Sequence, residues 1–268
     1  MRVRDFARDR KTLDWLLDRG VDINRTDTQR LDNGFNLAPG ETDRSLHLLN
    51  NVAADGNIDL FDHLVGRGAD VTLSTALHSA SACEDQDLSK AMVCHLLDKY
   101  GMDINSNNDD FRDFIHDADD RGSPLCSAIF NRNLTVVHEL LKQGASPSYP
   151  DEYPISYAVQ EDGFLPALAA LLYASVDPNV ALETAVIHQN IEAAKICLQF
   201  GADPAHALSE ALEQVEAKAR SVARVLASNE SPSDRDYKEI LERKRTAERN
   251  SRAMVELLRS ENSGSLNA

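Results

Sequence analysis

Apolar residues along this chain come in short clusters that recur at intervals of roughly thirty residues, the interval stretching at two places. Leu13, Trp15, Leu16 and Leu17 form the first cluster; Leu60, Phe61, Leu64 and Val65 the second; Met92, Val93, Leu96 and Leu97 the third. Val136, Val137, Leu140 and Leu141 follow, then Leu168, Leu171 and Leu172, then Ile191, Ala194, Ile196 and Leu198. The steps of three and four put each cluster on one face of a helix. Each is followed by a stop signal: Gly20 to Asn24, Gly68 to Thr72, Gly101 to Asn105, Gly144 to Ser148, Ser175 to Asn179 and Gly201 to Pro204. Five of these six endings open with glycine, which takes the left-handed backbone that closes a helix, and the sixth opens with Ser175.

The clearest copy of the unit runs from Thr75 to Asn105. Thr75, Ala76, Leu77 and His78 open a short first helix and Ser79 to Ala82 continue it with small residues; Met92 to Leu97 carry the second helix and Gly101-Met102-Asp103-Ile104-Asn105 closes it. Small side chains on the first helix let the second lie close, and the paired leucines supply an apolar stripe that a single hairpin cannot bury alone. On these residues the unit resembles an ankyrin repeat: the Thr-Pro-Leu-His opening has Ala76 in place of proline, and the Gly-Ala-Asp-Val-Asn ending appears as Gly101 to Asn105. Ser123-Pro124-Leu125-Cys126 is the best second match to the opening. The resemblance implies an all-α solenoid of about six helix-hairpin units over residues 1–204.

Taken in order, the first unit is short of a full first helix, which predicts a partly exposed apolar patch around Trp15 and Phe6. Residues 25–46 read as an inserted loop, with Asn33-Gly34 and Pro39-Gly40 as turn signals. The second unit aligns from His47, Leu48, Leu49 and Asn50, and the third carries an insertion from Cys83 to Leu88. A second long connection, 106–122, is rich in aspartate; Asp117-x-Asp119-x-Arg121-Gly122 is a poor match to a calcium loop, so it is open to being a solvated loop, a contact for a basic partner or a metal site. Beyond Pro204 the pattern changes. Leu208, Leu212, Val215, Ala219, Val222 and Leu226 step by four and three, predicting a long helix with one narrow seam. A second helix restarts at Ser231-Pro232, so residues 205–260 are expected to form a capping helix pair and 261–268 a flexible tail.

Charge and chemistry narrow the function. With 28 basic and 44 acidic residues the chain carries a net charge of −16, which disfavours nucleic acid and anionic membrane and favours a partner with a basic surface. No run approaches a membrane span and the start is not a secretory leader, so an intracellular site, cytoplasmic or nuclear, is expected. The four cysteines are widely spaced and read as buried thiols. No phosphate-binding loop, dinucleotide fingerprint, zinc-protease helix or nucleophile elbow is present. His63 and His95, at equivalent places on neighbouring second helices, offer two ligands at best and are read as structural. Arg243-Lys244-Arg245 is a solvated helix face or a small basic patch. The expectation is no enzyme activity, no cofactor and no metal.

The ankyrin resemblance implies recognition along the concave side, by the first helices and the turns before them. By position these are Asn51 and Asp55, Ser79 and Ala82, Ser127, Phe130 and Asn131, Tyr157, Gln160 and Glu161, and Thr184, Ile187 and His188. Phe130, Tyr157 and Ile187 are either aromatic and apolar anchors within a polar rim or, with a one-residue change of register, core. The leading expectation is therefore a protein-protein interaction scaffold. The alternatives are an enzyme or small-molecule binder with a pocket between the concave face and the two inserted loops, and a structural spacer within a longer repeat protein.

Overall fold

In a computed structural model of the chain, the residues described are 10–24, 47–107, 122–149, 153–160, 163–227 and 235–265. All regular structure among them is helical. The loop 25–46, Phe6, the aspartates of the second connection with their calcium-like segment, and Glu161 lie outside the described residues. The chain divides into two compact units, residues 1–157 and 158–268. This boundary differs from the expected division at 204/205.

The first unit holds α1 (Arg10–Leu17), α2 (Leu48–Ala54), α3 (Ile58–Gly66), a 3-10 turn at Val71–Leu73, α4 (Ala76–Ser81), α5 (Gln86–Tyr100), α6 (Pro124–Phe130) and α7 (Leu134–Lys142), and ends within α8 (Tyr153–Val159). Helices pair as hairpins in chain order, α2 with α3, α4 with α5, α6 with α7, and the first helices α2, α4 and α6 touch in sequence. Leu49, Val52, Phe61, Leu77, Met92, Leu96, Leu125, Ile129, Val137 and Leu140 are buried between them. The second unit holds α9 (Leu165–Tyr173), α10 (Pro178–Ile187), α11 (Ile191–Gln199), α12 (Pro204–Ala227) and α13 (Arg235–Ser265). Here α10 packs on α11 and α12, α11 on α9 and α13, and α12 on α13.

Short polar side chains brace the turns and tie several hairpins to the one that follows. In five endings the aspartate folds onto its own turn: Asp22, Asp70, Asp103, Asp177 and Asp203 each accept from the backbone N–H two residues on, at 2.8–2.9 Å. The residue two past it reaches forward: Asn24 accepts from the N–H of Asp70, Asn105 from Ser146 and Asn179 from Asp203, at 2.7–2.8 Å. A second set sits between the helices. Asn57, Asn133 and Asn190 cap α3, α7 and α11 through Oδ1, and the residue before each, Gly56, Arg132 or Gln189, has positive φ.

His78 Nε2 donates to the carbonyls of Ser106 (3.1 Å) and Gly122 (3.0 Å), fastening both ends of the second long connection. Asn50 exchanges two hydrogen bonds with Thr75 (3.0 and 2.9 Å), and Glu183 meets His206 at 2.8 Å. On the second helices His63 Nε2 lies 2.7 Å from Asp14 and His95 Nε2 lies 2.7 Å from Asp62, each histidine paired with an aspartate of the preceding unit. Lys99 and Tyr100 join the second pair, both at 2.6 Å from Asp62.

Four expectations change. The insertion from Cys83 to Leu88 is half absorbed into the first turn of α5, which begins at Gln86 and is capped by Asp85 through two N–H groups. α13 continues through Ser265, past the expected start of a flexible tail at residue 261. Ser260 and Ser263 hydroxyls donate to the carbonyls of Leu257 and Arg259 along that last stretch. Arg243-Lys244-Arg245 is not one patch: Lys244 donates to Ser221 of α12 at 2.8 Å, whereas Arg243 and Arg245 are exposed. The apolar seam of α12 is only half closed, since Leu212 and Leu226 remain 37% and 53% exposed.

Other expectations hold. Trp15 is 53% exposed, with the Arg19 guanidinium 3.7 Å over its ring. His47 caps α2, its Nδ1 accepting from Leu49 N–H at 3.3 Å, so the second unit starts in the register that the sequence indicates. Cys83, Cys126 and Cys197 are buried as expected, and burial pushes the Cys197 thiol up to about 12, whereas Cys94 is only half-buried.

Candidate functional site

The expected binding residues fall in both units. In the first, α6 is the organising element. Pro124 begins it, small Ala128 and Ser127 let it lie against α4 and α7, and six of its seven residues are buried. The exception is Phe130, the last, at 38% exposed. Its ring meets Tyr157 of α8 edge to face, with centroids 5.9 Å apart and planes at 70°. Aromatic pairs in this geometry hold one another in place while leaving a face for contact. Asn131 follows as the exposed cap of α6, its Nδ2 donating to the Ser127 carbonyl at 2.9 Å. Asn51, Asp55, Ser79 and Ala82 are half-buried on α2, α4 and their ends. Phe130 is thus at the surface, with Tyr157 half-buried beside it.

Ser127 corrects the expected set. It is 1% exposed, because α6 turns it toward the neighbouring helices, so it is unavailable to a partner. Its small size marks close helix packing.

In the second unit Thr184 is half-buried and spends its hydroxyl on the Val180 carbonyl at 2.9 Å. Gln160 is half-buried; its carbonyl accepts from Gly163 N–H at 2.7 Å. Ile187 stands 57% exposed at the end of α10, and His188 caps that helix. Burial holds the His188 imidazole below its usual range.

His188 also borders an open cleft of about 880 Å³ that lies wholly in this unit. One wall is the turn His188 to Glu192; the other is α13, through Lys238, Glu239, Glu242, Arg243, Thr246 and Asn250. Gln189 fixes the floor. With its amide oriented by the bonds it can make, it donates to the Ala247 carbonyl (3.2 Å) and accepts from Lys218 Nζ and Ser251 Oγ (3.3 Å each). Lys238 and Arg243 share the α13 wall with Glu239 and Glu242, so the cleft has no single charge preference. This wall was missed from the sequence; the only signal was Gln189-Asn190 standing where Gly56-Asn57 and Arg132-Asn133 stand in other units. The expected pocket beside the inserted loops cannot be compared with it, as 25–46 and 108–121 lie outside the described residues.

Among the described residues no three His, Cys, Asp or Glu side chains converge as a metal group, and no helix is long and apolar enough to cross a membrane. No protein-family model matches the chain, and no curated protein matches it at a significant level.

Proposed function

We propose that the chain is a non-catalytic protein-interaction module, an ankyrin-like stack of helical hairpins that grips a partner protein inside the cell, in cytoplasm or nucleus. The observation that carries this reading is Phe130. A helix with every other residue buried leaves one aromatic at the surface, braced by Tyr157 at 5.9 Å and followed by an exposed amide, Asn131. An aromatic anchor beside polar groups that can orient a ligand is how binding surfaces concentrate their energy. The repeated endings and the forward-reaching asparagines support the ankyrin-like reading, in which successive first helices offer equivalent positions along one wall. Asn51, Asp55 and Ser79 would extend the surface from Phe130, and the net charge of −16 favours a partner whose contacting face is basic.

Affinity capture from the native cell tests this directly. The wild-type chain is compared with Phe130→Ala plus Tyr157→Ala, and with Tyr173→Ala, which removes an aromatic 81% exposed elsewhere. The proposal expects a partner bound by wild type and by Tyr173→Ala but weakened by about tenfold or more in the double variant, the loss typical of a central anchor. A partner that the double variant retains at full strength, or the absence of any partner, refutes it.

A further inference from the structure

Phe130 belongs to a row that crosses three hairpins. It stands four residues after Cys126, as Ala82 stands four after His78 and Ala54 four after Asn50. Because α2, α4 and α6 touch in chain order, these three positions follow one another along one edge of the first unit. Tyr157 occupies one side of the Phe130 ring. On the α4 side the equivalent residue is only Ala82, half-buried, and beyond it Ala54 is exposed. Packed helices lie about 8–10 Å apart, so where the row steps down from a ring to a methyl group there is width for one apolar side chain of a partner, lying over Ala82 against the ring.

The turns that leave these helices are acidic. Over residues 54–57, 82–87 and 130–133 the carboxylates are Asp55, Glu84, Asp85 and Asp87, and the one cation is Arg132. The turns are also close together. Asn133 Nδ2 reaches the Cys83 carbonyl at 3.4 Å and the Ser89 hydroxyl at 2.9 Å, and a Cβ on Gly56 would lie 2.6 Å from Leu88 Cβ. Burial raises the Cys83 thiol; a backbone hydrogen bond at Asp85 opposes this, while the charges of Asp85, Asp55 and Glu84 add to it, so carboxylates from two hairpins bear on one buried sulfur. Asp85 caps α5 and Asp87 lies in its first turn, which gives both a local role. Glu84 has none: it is exposed and makes no hydrogen bond or ion pair among the described residues. Like charges gathered beside an apolar anchor favour a cationic occupant. We propose that the partner contributes a basic peptide segment, one apolar side chain lying over Ala82 against Phe130 and arginine or lysine beside it meeting Asp55, Glu84 and Asp85. This rests on the reading of Phe130 as a partner anchor and names what the partner presents there.

Selection of random linear peptides displayed on phage, against the full chain, tests the proposal. Enriched peptides should pair an aliphatic or aromatic residue with lysine or arginine. One of them, synthesised with a fluorescent label, gives dissociation constants by anisotropy. Phe130→Ala should raise the constant about tenfold or more, and Glu84→Lys about tenfold, with helical circular dichroism unchanged. Glu256→Lys, the same change of charge at an exposed site on α13, should raise it less than about twofold. Enriched peptides that need Phe130 but lack basic residues, or that bind Glu84→Lys as tightly as wild type, overturn this inference and leave the interaction module standing. An equal loss in Glu256→Lys also overturns it, since the charge of the whole chain would then be acting. Peptides indifferent to Phe130→Ala, or no enrichment at all, overturn the module and the inference together.

Discussion

Removing the same side chain at equivalent positions should cost different amounts, because the capping asparagines are not equally employed. Asn57 is exposed and among the described residues makes one side-chain bond, Oδ1 accepting from Leu60 N–H at 3.1 Å. Asn133, 2% exposed, makes the same cap to Val136 N–H at 3.1 Å, and in addition its Nδ2 donates to Ser89 Oγ at 2.9 Å and reaches the Cys83 carbonyl at 3.4 Å. Ser89 is itself fully buried and spends its hydroxyl proton on the Ala80 carbonyl at 2.6 Å. Asn57→Ala loses a cap alone, worth about 1 kcal/mol. Asn133→Ala loses the cap and leaves a buried hydroxyl oxygen and a buried carbonyl short of a donor, adding about 1–2 kcal/mol and bringing the total to about 2–3 kcal/mol. Both residues belong to the first compact unit, so their losses can be read on one transition by urea titration with helical circular dichroism. Equal losses at the two sites would refute the argument, for the Nδ2 bonds across to the preceding hairpin would then contribute nothing. A loss at Asn133 below that at Asn57 would show that burial there is a burden and not a link.

Two further outcomes follow from the same structure. Ser175 holds φ at +71°, the conformation that glycine takes at Gly20, Gly68, Gly101, Gly144 and Gly201; Ser175→Gly should raise stability by about 0.5–1 kcal/mol, measured as a shift in the urea midpoint. Burial acts to raise the Asp62 carboxyl, but hydrogen bonds from Lys99, Tyr100 and His95 outweigh it and hold it at about 2, below the usual 3.8. A depressed carboxylate stabilises the fold fully above the unfolded value and loses that contribution as pH falls from about 4 through 2, so wild type should lose more stability than Asp62→Asn across that window. With the side chain 31% exposed the difference is screened to the order of 1 kcal/mol; identical acid profiles for the two proteins would refute the pairing.

Some of this architecture was legible because it is written in local rules. The left-handed endings and the three-four clusters each depend on a few adjacent residues, and both appear where the sequence indicates them. Ser175 shows why the rule is about conformation before identity: it keeps the left-handed turn without glycine, at a cost that the surrounding hairpin sustains. What was not legible depends on which face of a helix meets a neighbour. Ser127 and Phe130 sit three residues apart on α6, both plausible at the surface by position, and only the packing of α6 against α4 and α7 buries one and leaves the other out. The same limit explains α12, whose apolar stripe closes only in part: Val222 is buried, while Leu212 and Leu226 stay exposed.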